Sequence, residues 1–491
     1  MLMKRRSVGF VSFALGWLCA TLASLLYSSL NFQFVSVLKT RNAEGPHLAP
    51  VSDADADKQD PDPEPGGLVF SSHHCVGDSY SNEGKGYYLR QCRYQNVCLV
   101  NGKLVYYHRH ATALTEDLDV LITPLGLMES NYERFKLRPQ VMSSTSVPPN
   151  ARYYTTEQGD PDIITVIFGE YNSKGFGHHT SDVLFPLFRI GQMFGVERRV
   201  TRMLLVDNFK PPYQWSCQHS PWEWCDYWYT NYTGMYLQNF AHPMRMSSLE
   251  DTTLCFKDLL GGMGYLAEHG ADPTLHGGII NKFDTTNVAR GATFWDFRNE
   301  VLRRLDLPLK PFIPTRALSS TTKVQHWDVL FHENYDHRCN TNFTRTMDLL
   351  RSFRHGVVAE SIRWPDYSIR DQIEIATRTK VMVTIHGGGA HVGYYLPRHA
   401  SMVMLWWDTT PRNISYLGRG EYGTWNNMAH LRVRWIRSFT TPFHKETFLA
   451  PPGKEALYRY VDEDLLAQEV AEAIDFFDRN EAADRRYASK F

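Results

Sequence analysis

Short, mostly apolar runs alternate with helical stretches through the middle and last third of the chain, and few architectures accommodate that order. The first set is Ile163-Ile164-Thr165-Val166-Ile167-Phe168, a helical stretch over 179–194, then Met203-Leu204-Leu205-Val206. The second set is Val329-Leu330-Phe331, a helix near 344–353, Gly356-Val357-Val358, a helix near 369–379, an apolar run over 381–385 and another over 402–405. Apolar runs this short, spaced by helices, read as buried parallel strands in βαβ units. Two sets predict an α/β protein with two doubly wound domains. The joint falls around 285–320, where a helix over 298–305 is followed by Pro308, Pro311 and Pro314. A last helix is predicted over 463–477, capped by Asp462, with Leu465, Leu466, Val470, Ala473, Ile474 and Phe477 on a side that needs a packing partner.

The N-terminus sets the compartment. Lys4, Arg5 and Arg6 precede an uncharged, mostly apolar run over 8–30, with Lys39 and Arg41 beyond it. As a helix this run would be about 35 Å long, enough for a hydrocarbon core of ~30 Å. It exceeds the ~7–15 apolar residues of a cleaved signal peptide and lacks an Ala-x-Ala end, which predicts an uncleaved anchor. The basic flank puts residues 1–7 in the cytosol and everything after the anchor in the lumen of the secretory pathway. Residues 31–70 hold Pro46, Pro50, Pro61, Pro63 and Pro65 among many aspartates, and read as an extended acidic stem.

A lumen also fits glycosylation acceptors at Asn231, Asn342 and Asn413, and seven cysteines beyond the anchor. Those cysteines are Cys75, Cys92, Cys98, Cys217, Cys225, Cys255 and Cys339, so at least one is free or intermolecular. The closeness of the first three, and of Cys217 and Cys225, predicts local staples. No paired Cys-x-x-Cys spacing recommends zinc.

Fifty-two Lys and Arg against 53 Asp and Glu leave a formal charge of −1, which gives no global basis for binding nucleic acid. Chemistry concentrates in two segments. In the first, an apolar strand ends in His386-Gly387-Gly388-Gly389-Ala390 and runs on into a predicted helix. Glycines let a phosphate approach the backbone, and free N–H groups of the following helix point at it. The same spacing also serves a tight turn that needs glycine for packing. His386 could reach a phosphate or a sugar hydroxyl, or be a structural residue.

The second segment is Gly175-Phe-Gly-His178-His179-Thr-Ser-Asp182-Val-Leu-Phe-Pro186. On a helix, His178 and Asp182 share a face at i and i+4, so they could act as a general base with its orienting partner, or form a polar helix start. Aromatic residues between Trp215 and Tyr232 suit a core or a sugar-stacking platform. No Asp-x-Asp follows an apolar strand, so no metal and no cofactor beyond a co-substrate are expected.

In these residues the chain resembles glycosyltransferase family 61. The resemblance rests on the order of three features: His178, Asp182, Leu184 and Pro186 on one helix, Asp371-Gln372-Ile373 at the start of another, and the His386-Gly387-x-Gly389 loop followed by Leu396-Pro397. It implies a type II Golgi or endoplasmic reticulum membrane enzyme with two Rossmann-like domains of GT-B type. Residues 71–300 would form the acceptor side, 301–460 the nucleotide-sugar domain, and 461–491 a helix packing back on the first domain.

It further implies metal-independent, inverting transfer from a UDP-sugar, with GlcNAc or xylose as the expected sugar. The acceptor would be a glycoprotein glycan, a protein hydroxyl or a polysaccharide. His178 or Asp182 becomes the catalytic base, and Arg338, His386, Gly387, Gly388, Gly389 and Asp408 the donor site. Many members carry Glu in the strand after the glycine loop, where it would contact ribose. This chain has Met404 there, and a thioether cannot replace a carboxylate acceptor. Asp408 takes over, or donor binding differs and another nucleotide sugar is used, or the chain is a non-catalytic luminal lectin-like or assembly subunit that keeps the fold.

Overall fold

Most of the apolar runs of the sequence lie in strands buried from both sides, and among the described residues two large sheets and one two-stranded sheet result. The computed structural model describes residues 67–76, 90–110, 118–122, 135–154, 163–169, 175–196, 200–206, 226–237, 243–249, 251–262, 291–309, 326–334, 339–340, 343–385, 387–407, 425, 428–439 and 458–488. The expected tail and anchor and nearly all of the expected stem lie outside these residues, as do Cys217, Cys225, Arg338, Asn342, His386, Asp408 and Asn413. Among the described residues no helix is long and apolar enough to cross a membrane. Leu68–Phe491 forms one unit by its contacts, and both sheets belong to it.

In chain order the first sheet's region contains β1 (Ser72–Val76), β2 (Gln91–Val100), β3 (Lys103–His108), β4 (Val120–Ile122), β5 (Phe135–Leu137), β6 (Gln140–Ser143), β7 (Ile164–Phe168), β8 (Val200–Leu205), β9 (Met244–Arg245) and β10 (Thr253–Gly261). The strand order is β6-β3-β2-β10-β7-β8-β9, with β1 added on β2 and β4 paired only with β5. β10, β7, β8 and β9 run parallel, whereas β2 is antiparallel to β1, β3 and β10. No antiparallel extension was expected from the apolar runs. Its β2–β3 hairpin closes through Asn101 and Gly102, both at positive φ, the two-residue turn whose twist matches the strands it joins.

Both described disulfides tie onto β2. Cys75 lies opposite Cys92 across β1 and β2, and Cys98 opposite Cys255 across β2 and β10. The first is the local staple expected. The second is a correction, because it joins residues 157 apart, brought together by strand pairing rather than by closeness in sequence.

After β7 the chain enters a continuous helical segment: α1 (Phe176–His178), a π-helical stretch His179–Leu184, and α2 (Phe185–Met193). A second π-helical turn, Tyr229–Thr233, leads into α3 (Gly234–Leu237), and α4 (Gly291–Arg304) follows β10. The second sheet's region then runs β11 (Trp327–His332), β12 (Cys339–Asn340), α5 (Thr344–Phe353), β13 (Ala359–Ile362), α6 (Ile369–Thr377), β14 (Thr379–Ile385), β15 (Ser401–Trp407), β16 (Arg432–Phe439), β17 (Tyr458–Val461) and α7 (Glu463–Ala488).

This sheet is ordered β12-β17-β16-β15-β14-β11-β13, with β13, β11, β14, β15 and β16 all parallel. The chain forms β11, steps to the edge at β13, then crosses back to β14. The order therefore reverses between β11 and β14, where connections leave in opposite directions, the position at which open α/β sheets form a crevice beyond their strands' C-terminal ends.

Alternation along the strands partitions the core. Val329, Phe331, Val381, Val383, Val403 and Leu405 face a layer containing Leu350 of α5 and Leu466, Val470, Ala473 and Ile474 of α7. Leu330, Met382, Met402 and Met404 face the opposite way, into a core shared with Ile164, Val166 and Phe168 of β7 and with α2, α4 and α6. The last helix is longer than predicted, 26 residues; Leu466, Val470, Ala473 and Ile474 face the second sheet and α5, and Phe477 joins the core shared with the first sheet. The strand expected at 356–358 begins at Ala359, since Gly356 sits at positive φ in the turn that follows α5.

Candidate functional site

The two segments that carry chemistry in the sequence meet in space. After β14 the chain turns at Gly387, whose φ of 128° is open to glycine alone among ordinary residues, and continues as a 3-10 helix, Gly388–Tyr395. An α-helix was expected there. The tighter turn still presents its first N–H groups at the C-terminal end of β14, while Ala390 N–H closes back on Gly387 O at 2.9 Å.

α1 arrives from β7 and lies directly against this loop. A Cβ on Gly177 would stand 2.6 Å from Gly388 Cα and 2.8 Å from His391 Nδ1, so only glycine permits the approach. His178, half-buried, is the next residue along. The next turn adds Ser181 Oγ to Tyr394 Oη at 3.1 Å, a bond between residues 213 positions apart. Gly387, Gly388 and Gly389 of the expected donor loop are thus brought against the helix that carries the expected base.

Asp182 lies in the π-helical stretch, where hydrogen bonds run to the fifth residue, as Phe185 N–H to Thr180 O does. The α-helical i, i+4 register assumed for His178 and Asp182 is therefore replaced locally by a wider turn. Side-chain placement of Asp182, and all of His386, Arg338 and Asp408, fall outside the described residues.

A buried hydroxyl network fixes the seam. Thr180 Oγ1 donates to Phe176 O at 2.7 Å and lies 2.9 Å from Tyr232 Oη, which in turn bonds Tyr395 Oη. Burial raises the pKa of both tyrosines, so they stay protonated and serve as struts rather than bases. His179 is fully buried with Nε2 2.6 Å from Thr233 Oγ1, among the rings of Tyr229 and Tyr232. Thr233 is also the third residue of the Asn231 glycosylation acceptor. Asn231 itself is exposed on the π-helical turn, with Nδ2 donating to Tyr227 O at 2.8 Å.

Two buried groups missed by sequence reasoning complete the surroundings. Arg298 of α4, with no exposed surface, donates through Nε to Tyr395 O at 3.1 Å and Leu396 O at 2.8 Å, holding the far end of the 3-10 helix. Burial pushes its pKa down to about 9, which leaves it cationic at neutral pH. His332 ends β11 at the reversal point, and a Cβ on Gly389 would fall onto its ring. Strand β11 was legible, but nothing in its spacing marks its last residue.

The motif residues of α6 have structural work. Ser368 caps the helix by accepting Asp371 N–H at 3.2 Å, and Gln372 Nε2 reaches Trp364 O at 2.9 Å and Tyr367 O at 3.0 Å. Met404 is fully buried in the shared core, so β15 offers no side chain to a ribose at that position.

Among the described residues no group of three or more His, Cys, Asp and Glu is placed to hold a metal ion. A cavity of about 430 Å³ opens at the other end of the second sheet, near His326, Lys380 and Asp478, but its charges neutralise one another: Lys380 Nζ lies 2.8 Å from both Asp328 and Asp478, and Arg485 pairs with Glu481 at 2.7 Å. The fold and site define an α/β protein of two large sheets, with a glycine-rich turn after β14 beside the point where the strand order of the second reverses. Neither a protein-family model nor a curated protein matches the chain.

Proposed function

We propose that this chain is an inverting, metal-independent glycosyltransferase resembling family 61, using a UDP-sugar in the lumen of the Golgi or endoplasmic reticulum. In this reading residues 71–300 and 301–460 are two Rossmann-like domains of GT-B type behind a type II anchor at 8–30. The observation that carries it is the contact of Gly177 with Gly388, which sets the His178–Asp182 helix beside a loop suited to a diphosphate.

The chemistry follows from that placement. His178 or Asp182 takes the proton of an acceptor hydroxyl, whose oxygen attacks the anomeric carbon from the face opposite the diphosphate. The bond from that carbon to the diphosphate oxygen breaks, and UDP carries away the electron pair. Backbone N–H groups of the loop, directed at the developing charge, lower the barrier without rearranging. GlcNAc or xylose is the proposed sugar, and a glycan, a protein hydroxyl or a polysaccharide the acceptor.

The test is UDP binding and release by the detergent-purified chain across a panel of nucleotide sugars, with and without EDTA. Saturable binding of one UDP-sugar that survives EDTA is expected. Asp182→Asn should then abolish transfer while keeping donor affinity, and near-normal turnover in that variant would remove Asp182 from the role of base. Burial of Met404 favours the second reading, a non-catalytic lectin-like or assembly subunit. A folded chain that binds no nucleotide sugar would select it.

A further inference from the structure

The proposed transfer leaves the buried imidazole at the end of β11 without a task. His332 ends β11, next to the point where strand order reverses, and is 5% exposed. Its Nδ1 lies 2.9 Å from Thr384 Oγ1 on β14, and the Trp364 ring sits 5.8 Å from its centroid. Thr384 Oγ1 also lies 3.1 Å from Ile385 O, so the hydrogen bond to Nδ1 ties the ring to the C-terminal end of β14. Burial pushes the pKa down to about 3, so the ring is neutral.

The ring edge lies against the Cα of Gly389, close enough that any Cβ there would collide with Cε1, Nε2 and Nδ1 together. The ring at 332 thus requires glycine at 389, because it occupies the room that a side chain there would need. The ring spans β11, β14 and the loop, joining the two strands at the reversal point to the backbone that turns beside it.

We propose that His332 is the positioning residue of the 387–389 loop, setting the height of the Gly389 backbone so that the loop N–H groups meet a nucleotide diphosphate. This role rests on the loop being a diphosphate cradle. The residue acts through Gly389 and touches no reacting atom. Its loss should therefore appear in donor affinity and in the donor KM, with kcat unchanged.

The experiment titrates UDP into the full chain in detergent by calorimetry, with thermal melting of each variant as the check on folding. His332→Leu keeps the bulk and removes both ring nitrogens, and is expected to weaken UDP about tenfold while still melting cooperatively. His332→Asn keeps an amide near the position of Nδ1 and should return affinity to within about threefold of wild type. Gly389→Ala should weaken UDP as well, and adding His332→Ala should recover part of that loss because the new Cβ then has room.

A folded His332→Leu chain with wild-type UDP affinity overturns the proposal, as does a Gly389→Ala defect that His332→Ala deepens. A wild-type chain that binds no UDP overturns the cradle reading beneath it, which the variant results alone cannot do.

Discussion

The two sheets are held together by different means. β2, the hub of the first sheet, is joined to both of its disulfide-bonded neighbours by covalent bonds directly across the strand pairs, so its antiparallel extension cannot slip. Among the described residues the second sheet has no disulfide. It is closed by α7, whose apolar face fills the layer over β11, β14 and β15 while its polar edge pairs with α5 and β14: Arg345 with Asp464, Arg354 with Asp475 and Asp478, and Lys380 with Asp478. Covalent ties suit strands far apart in sequence, where chain entropy is the main opponent. A long amphipathic helix suits a parallel sheet, whose strands already lie within short βαβ connections.

The largest effect should come from cutting the long tie. Replacing Cys98 and Cys255 by serine is expected to lower stability by about 5 kcal/mol, against about 3 kcal/mol for the Cys75 and Cys92 pair, because the longer loop gains more entropy when released. Urea unfolding of the two double variants measures the gap. Equal losses would mean that loop length does not govern the first sheet.

Acid should separate the sheets in the other direction. His332 and His430 are buried neutral imidazoles, each with its pKa lowered from 6.5 to about 3 by burial, and His430 further lowered by Arg298. Between those values the unfolded chain binds protons that the folded chain refuses, so stability is full above pH 6.5 and falls as pH drops toward 3. Both residues border strands of the second sheet. Hydrogen exchange at falling pH should therefore accelerate in β11, β14 and β16 before β2 and β10, and simultaneous exposure would erase the distinction.

The smallest effect belongs to the ion pairs along α7. Arg354→Ala should cost under about 1 kcal/mol, since its partners stand partly in water and screening removes most of the attraction. A loss of several kcal/mol in chemical denaturation would show that the edge, not the apolar face, holds the helix down.

Much of the second sheet was legible because parallel strands buried on both faces leave continuous apolar runs. The helix over 344–353 agrees to the residue, and β14 and β15 fall on the runs that announced them. The first sheet was read only at β7 and β8. Its β2 mixes Arg93, Gln95 and Asn96 with buried Cys92, Tyr94 and Val97, as an antiparallel strand does, and the Asn101-Gly102 turn was the signal that would have revealed it. At the site, glycines were visible as glycines, but their reasons were not. Gly177 and Gly389 are small because Gly388 and His332 stand against them, and neither neighbour is near in sequence.

Strand periodicity, helix capping and the glycine turn are local properties, written in side-chain alternation and allowed dihedral angles, and the amino-acid order alone determined them. Which strand pairs with which, that Cys98 meets Cys255, that α7 covers the second sheet, and that the helix bearing His178 rests on the loop at Gly388 were decided only by the tertiary structure. Each joins segments distant along the chain, and such contacts form through the collective burial of a shared core rather than through any preference a short stretch can express.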